Sequence, residues 1–179
     1  MKRNSITISS MLVALFCFVG FAQAQDAYET KVLKGDIPSP KKEMKAMVGD
    51  ATVTVVYGSP SVKGREVWGG LVPYDKVWRA GANEATTIEL SKDVKVEGKT
   101  LAAGKYSFFT IPGETEWTII FNSEPKQWGA YKHNADKDVL KVTVSPKAVG
   151  ESSETLEYVM DGDALVLKWE KLTVPIKLM

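Results

Sequence analysis

Short runs of alternating apolar and polar residues, separated by turn-forming residues, are the feature that most constrains the fold of this 179-residue chain. In residues 52–57, for example, Val53, Val55 and Tyr57 would share one face of a strand, and β-branched residues dominate. The equivalent runs that follow are 86–90, 94–96, 104–111, 115–122, 138–145, 154–160, 164–170 and 172–178. About eight short strands and no amphipathic helix predict an all-β antiparallel fold.

Two turns in this series predict β-hairpins. Residues 112–114 are Pro-Gly-Glu and residues 161–163 are Asp-Gly-Asp, which are typical compositions of tight turns. Pro175 cannot donate a ladder hydrogen bond, so the run 172–178 should lie at a sheet edge or a bulge. We therefore predict a single-domain β-sandwich over residues 50–179, jelly-roll-like or Ig-like, with a barrel as the alternative.

The N-terminus has the pattern of a secretory signal peptide. Lys2 and Arg3 precede an apolar run over residues 11–21, and Ala-Gln-Ala at 22–24 suits signal peptidase. The apolar run is shorter than the roughly 20 residues that a membrane helix needs. We expect cleavage near Ala24, export to the periplasm or the extracellular space, and no transmembrane segment.

The mature chain of about 155 residues then corresponds to one domain. Residues 25–49 are polar and contain Pro38-Ser39-Pro40. We predict that they form an extended lead-in that ends in a short helical turn at 42–47.

Composition excludes several functional classes. The full chain has 23 basic and 22 acidic residues, and removal of Lys2 and Arg3 leaves a net charge of about −1, which argues against nucleic-acid binding. The only cysteine, Cys17, lies in the signal peptide, so the mature chain would have neither a disulfide nor a thiolate metal ligand. His133 is the sole histidine, and its role could be structural or functional. No Gly-x-Ser-x-Gly motif occurs. We expect no metal and no cofactor.

The long segment between the first two predicted strands of the domain, residues 57–87, is unusually rich in large side chains. It contains two Trp, two Arg and two Tyr among several glycines. Such groups make contacts strong enough to offset the entropy lost when a loop becomes ordered. The segment is therefore predicted to be an ordered functional loop.

Arg79 and Glu84 are the most informative pair in this segment, and two interpretations stay open. They could form a salt bridge that closes the loop. Alternatively, Arg79, Asn83 and Glu84 could point into a pocket, which would bind a small polar ligand, a glycan or a peptide. The aromatic walls of that pocket would be Trp68, Tyr74 and Trp78.

Three further residues complete the set of candidate ligand-binding residues. Arg65 could bind a carboxylate or phosphate, or could tie the loop to a backbone carbonyl. Trp128 and Tyr131 form a second aromatic pair in another loop, and the sequence does not tell whether the two loops meet.

These residues favour a binding module over two alternatives. One alternative is an envelope structural or protein-interaction domain, because Trp, Tyr and Arg are also enriched in binding hot spots. The other is a carboxylate-dependent hydrolase that uses Glu84 with Glu66 or Asp75, but no spacing rule connects carboxylates on irregular loops.

Several phrases of the sequence are similar to those of one known family. They are residues 59–65 (SPSVKGR), 70–74 (GLVPY), 77–86 (VWRAGANEAT), 103–106 (AGKY) and 117–122 (WTIIFN). The chain resembles a secreted family, domain of unknown function 2911, and the resemblance covers nearly the whole mature chain. It implies a secreted bacterial domain that commonly stands alone after a signal peptide, without an assigned activity, substrate or catalytic residue. Ser59 stands where that family often has arginine, which removes one cation from the candidate loop.

Overall fold

The computed structural model describes residues 28–179 and contains eleven β-strands within them. The strands are β1 (Tyr28–Lys34), β2 (Lys41–Val48), β3 (Ala51–Gly58), β4 (Thr86–Leu90), β5 (Val94–Val96), β6 (Lys99–Leu101), β7 (Gly104–Ile111), β8 (Trp117–Asn122), β9 (Asp138–Val144), β10 (Lys147–Asp161) and β11 (Ala164–Lys177). One turn of 3-10 helix, Ala135–Lys137, precedes β9. The predicted signal peptide, residues 1–24, lies outside the described residues.

Seven of these strands form one antiparallel sheet in the order β1-β2-β3-β4-β7-β8-β9. The hairpins β5–β6 and β10–β11 form two small separate sheets. Because β1 and β9 are free edges of the large sheet, the architecture is sandwich-like and is not a closed barrel. The predicted all-β antiparallel sandwich is confirmed.

Alternation along the strands decides which face of the large sheet is buried. Val53, Val55 and Tyr57 of β3 are at most 1% exposed, whereas the residues between them are half-buried. The hairpin β10–β11 covers that face, with side chains such as Leu156 and Trp169 packed into the same core. This burial of apolar surface is the main stabilising contribution to such a fold.

The prediction of a helical turn at residues 42–47 is wrong. This segment belongs to β2, which pairs along its whole length with β3. Met44, Ala46 and Val48 are buried, and the residues between them are exposed. The two-residue period of a strand was therefore present in the sequence but hidden by three lysines.

The last two predicted strands are one continuous strand in the structure. β11 bends at Glu170, which has a left-handed φ of 52° and lies at a register irregularity opposite Ser153. Pro175 lies beyond Thr173, the last β11 residue that pairs with β10, so its missing N–H leaves no ladder bond unmade.

Strands β7 and β8 are buried on both faces. Phe108 packs in the main core, whereas Phe109 and Ile120 form a small second cluster on the opposite face. Val77 and Ala130, which belong to two different loops, cover this second cluster. The outer face of β7 and β8 is therefore the surface on which these loops rest.

Candidate functional site

The two loops that cover β7 and β8 meet each other. The 59–85 loop connects β3 to β4, and the 123–137 loop connects β8 to β9. Glu84 and Trp128 lie opposite each other in an antiparallel bridge between the loops. Two backbone hydrogen bonds flank the bridge. The N–H of Ala85 donates to the carbonyl of Gln127 at 3.0 Å, and the N–H of Gly129 donates to the carbonyl of Asn83 at 3.2 Å. The structure thus joins the two aromatic loops that the sequence could not place together.

Close backbone packing at Gly58 holds the 59–85 loop against the end of β3. The N–H of Ala82 donates to the carbonyl of Gly58 at 3.2 Å. A Cβ atom at Gly58 would overlap the carbonyl oxygen of Ala82, and one at Gly81 would lie 2.8 Å from Thr86 Oγ1. Both positions require glycine because the two backbone segments touch.

Buried side chains fasten the same loop to the core through the carbonyl of Ala80. This oxygen accepts hydrogen bonds from the Tyr158 hydroxyl at 2.8 Å and from Thr86 Oγ1 at 2.9 Å. Burial raises the pKa of Tyr158 well above its ordinary value, so the phenol keeps the proton that it donates. The 59–85 loop is therefore an ordered part of the fold.

A partly buried polar network organises the 123–137 loop. Asn122, the last residue of β8, donates through Nδ2 to Asp138 Oδ1 at 2.8 Å and accepts from Gln127 Nε2 at 3.1 Å. His133 Nε2 lies 2.8 Å from the same Asp138 oxygen. The network connects the start, the middle and the end of the loop.

Asp138 is the charged centre of this network. Its side chain is 3% exposed, and Lys141 Nζ lies 2.8 Å from its Oδ2. Burial alone would raise the pKa of Asp138, but hydrogen bonds from Lys141, Asn122 and His133 outweigh burial and place the pKa below its ordinary value. The carboxylate therefore stays ionised at neutral pH.

Trp128 borders two neighbouring grooves on the surface formed by these loops. The first groove has a volume of about 470 Å³ and lies on the Glu84 side; the second, of about 580 Å³, lies on the Tyr131 side. Trp128 is 63% exposed and Tyr131 is 86% exposed. Large exposed aromatic groups beside concave surfaces are typical of binding sites. We call this surface the Trp128 platform.

Glu84 supplies a carboxylate to the first groove. Its Oε1 lies 3.3 Å from Nζ of Lys41, which comes from β2. Its own backbone N–H lowers the pKa of Glu84, burial opposes this effect, and the charge of Lys41 lowers the pKa further. The net pKa lies below its ordinary value, so Glu84 is ionised at neutral pH.

Of the two interpretations that stayed open for Arg79 and Glu84, the salt bridge is not formed within residues 28–179, where Glu84 pairs with Lys41. Within residues 28–179, Arg79 forms no ion pair, and its Nε is buried without a hydrogen-bond partner. Asn83 adopts a left-handed φ of 64° and donates to the carbonyl of Ser39 at 3.4 Å.

Two roles were predicted for Arg65, binding of an anion and attachment of the loop to a backbone carbonyl, and its contacts correspond to the second. Its guanidinium donates to the carbonyls of Ser61 at 2.6 Å and Val62 at 3.0 Å. It therefore ties the loop to nearby backbone, as the sequence allowed.

Trp68 and Trp78 belong to a cluster of four tryptophans, in which Trp78, Trp117 and Trp169 are buried in the core and Trp68 is partly buried against it. Trp78 is 9% exposed and stacks on Trp169, with ring centroids 6.0 Å apart and planes at 15°. Trp68 packs edge to face on Trp117 at 5.0 Å. Tyr74 is half-buried beside the backbone of Gly69. None of Trp68, Tyr74 and Trp78 lines either groove beside Trp128.

Several groove residues were not identified from the sequence. They are Lys41, Thr87, Lys105, Lys126, Gln127 and Lys132. Lys41 and Lys105 come from strands far from both loops in the chain, so no local pattern relates them to Trp128. Lys126 and Lys132 flank Trp128 and Tyr131 in the sequence, which was the one available signal.

The part of the chain from 28 to 179 contains no group of three or more His, Cys, Asp or Glu side chains placed to hold a metal ion. Within the same range, no helix has the length and apolar character needed to cross a membrane.

Comparison with known proteins identifies a family. No curated protein and no solved structure matches the chain. The model of the family described as a protein of unknown function, domain of unknown function 2911, matches residues 39–178. The match begins just before β2 and includes both loops of the Trp128 platform. The chain therefore belongs to the family called domain of unknown function 2911.

Proposed function

We propose that this protein is a binding module that recognises a glycan on the Trp128 platform. The observation that carries the proposal is that Trp128 is 63% exposed and borders two neighbouring grooves. An indole face can stack against the apolar C–H face of a sugar ring, since an aromatic ring offers a large rigid apolar area. Exposed aromatic surface rimmed by polar groups is typical of an interaction site.

Polar groups around the indole suit the hydroxyl groups of a sugar. Thr87, Gln127 and Glu84 line the first groove together with Trp128. A few directional hydrogen-bonding groups around an apolar surface are the usual composition of a small-ligand site. The platform is also held in place before binding, by the loop bridge and by the Asp138 network, which reduces the entropy lost on association.

Export of the chain is part of the same proposal. The predicted signal peptide, residues 1–24, would deliver the domain to a compartment where glycans of the cell envelope or the surroundings are present. Export can be checked by expressing the full sequence in a bacterium and sequencing the mature N-terminus, which we expect near Gln25.

A protein-docking surface is the second candidate function. The observation in its favour is Tyr131, which is 86% exposed and protrudes beside Trp128. The paired grooves favour the glycan, since they can receive groups on both sides of the indole.

A glycan-array screen followed by titration calorimetry tests the proposal. We expect the wild-type protein to bind at least one oligosaccharide, and Trp128→Ala to lower that affinity by about tenfold or more, because the stacking surface is lost. Leu71→Ala is the matched control, since Leu71 is 44% exposed and lines neither groove. Absence of binding to every oligosaccharide, or equal affinity of the Trp128→Ala variant, would contradict the proposal.

A further inference from the structure

We propose that the ligand of the Trp128 platform is an acidic glycan, in which sugar rings carry an anionic substituent. The inference rests on the proposed glycan-binding function and specifies its ligand class. It is carried by the lysines that surround Trp128 and by the partners that those lysines have.

Two of the four lysines that line the grooves are already neutralised. Lys41 pairs with Glu84 at 3.3 Å, and Lys105 pairs with Glu89 at 3.1 Å. These lysines shape the first groove, but their charge is balanced within the protein.

The positive charges of the other two lysines are not balanced by an ion pair within the described residues. Lys126 borders both grooves and Lys132 borders the second, and neither forms an ion pair with any residue between 28 and 179. Glu124 is the one unpaired carboxylate among the groove residues of that range. The platform is therefore locally basic, although the whole chain has nearly equal numbers of basic and acidic residues.

The location of these charges matters as much as their number. Lys126 and Lys132 lie within six residues of Trp128 and Tyr131, and all four residues border the second groove. A ligand that stacks on the indole in the second groove would therefore lie in a groove bordered by both lysines. A carboxylate or sulfate there would form charge-assisted hydrogen bonds, which are about twice as strong as neutral ones.

Neutral and cationic ligands fit this arrangement less well. A neutral glycan would leave two lysines without an anionic partner, and a cationic ligand would be repelled. The anionic substituent could be a carboxylate or a sulfate, since both are recognised by lysine as a point charge.

A matched set of oligosaccharides separates the charge from the sugar ring. The probes are an oligogalacturonate, its fully methyl-esterified form, a neutral oligogalactan and a sulfated oligogalactan. At low ionic strength we expect the free acid to bind about tenfold more tightly than its methyl ester, with the difference shrinking as salt is added. The sulfated probe shows whether the site prefers a carboxylate or accepts either anion.

The variant Lys126→Gln/Lys132→Gln assigns the preference to the two lysines. We expect it to lose the preference for the acid and to keep the affinity for the methyl ester. Lys76→Gln/Lys171→Gln is the matched control, because both of these lysines are exposed and neither lines a groove. Thermal unfolding of both double variants shows that the fold is retained.

The outcomes distinguish this inference from the proposed function. Equal binding of the acid and the ester, with both abolished by Trp128→Ala, would overturn the acidic specificity and leave the glycan site intact. An acid preference that survives Lys126→Gln/Lys132→Gln would also overturn the inference. If no probe binds, and Trp128→Ala has no effect on any glycan, both proposals fail.

Discussion

At the scale of single residues, the five tryptophans of this chain divide into two groups. Four of them pack against one another in the core, with Trp117 and Trp169 at most 1% exposed. Trp128 is the exception, since its indole faces solvent between two grooves. The same residue type therefore stabilises the fold in one place and forms the candidate binding surface in another.

Substitution of these tryptophans should separate stability from binding. Trp169→Ala should lower the free energy of unfolding by about 3–5 kcal/mol, because it leaves a large cavity in the core. Trp128→Ala should change it by no more than about 0.5 kcal/mol, as is usual for an exposed side chain. Urea unfolding of both variants measures the difference. A large loss of stability in the Trp128→Ala variant would mean that this side chain supports the loop.

Asp138 should make the stability depend on pH in the acid range. Its pKa in the folded protein lies below its ordinary value, so its contribution to stability is present above about pH 4 and is lost as the pH falls through the folded pKa. Asp138→Asn should therefore lower the free energy of unfolding by about 2 kcal/mol at pH 7, where hydrogen bonds to a charged group are lost. The difference from wild type should shrink at pH 3.

Urea unfolding at the two pH values measures this effect. Asp163→Asn is a suitable control, because its ion pair with Lys177 is exposed and should contribute little at either pH. If the effect of Asp138→Asn were the same at pH 7 and pH 3, the ionised carboxylate would not be what holds the loop.

At the scale of elements, backbone contacts hold the 59–85 loop against the end of β3. The contact depends on Gly58 and Gly81, where a side chain would meet another backbone or a buried hydroxyl. At Gly58 and Gly81, glycine thus reflects close packing. The loop in turn presents Glu84 to the first groove.

Gly58→Ala should disturb this contact and the platform above it. We expect the free energy of unfolding to fall by about 3 kcal/mol, because the new Cβ overlaps the carbonyl oxygen of Ala82. Gly150→Ala is the matched control, since a Cβ there meets nothing within 4 Å. Thermal unfolding compares the two variants, and equal melting temperatures would show that the loop can shift away from β3 without cost.

At the scale of the whole molecule, the β1 edge and the β2 strand differ sharply in what they bury. Six of the seven β1 residues are exposed, and β1 precedes the residues that the family model matches. β2 places Met44, Ala46 and Val48 in the core. The two strands are neighbours in one sheet, but only β2 is a substantial part of the packing.

Two truncations test this difference. A chain that begins at Ser39 should unfold cooperatively and lose about 2 kcal/mol of stability, since it loses cross-strand pairs and little buried area. A chain that begins at Asp50 should not fold, because three buried side chains and the edge partner of β3 are gone. Circular dichroism with heating measures both. Failure of the first chain to fold would show that β1 is essential.

The sequence was most informative where the decisive interactions are local. The alternation of residues 52–57 and the turns at 112–114 and 161–163 identified strands and hairpins that the structure contains. In β2 the same alternation was present, but its three lysines concealed it, and the turn predicted at 42–47 was wrong.

The sequence by itself determined that this chain forms an antiparallel β-sandwich with two aromatic loops, because side-chain periodicity and turn composition act between near neighbours. Only the tertiary structure decided that Glu84 lies beside Trp128 and pairs with Lys41, and that Trp68 and Trp78 belong to the core. The contacts of Glu84 join residues more than 40 positions apart, and all of these contacts depend on how strands stack and loops fold back. The physical reason is that burial and long-range pairing are properties of the whole packed chain, which local sequence patterns do not encode.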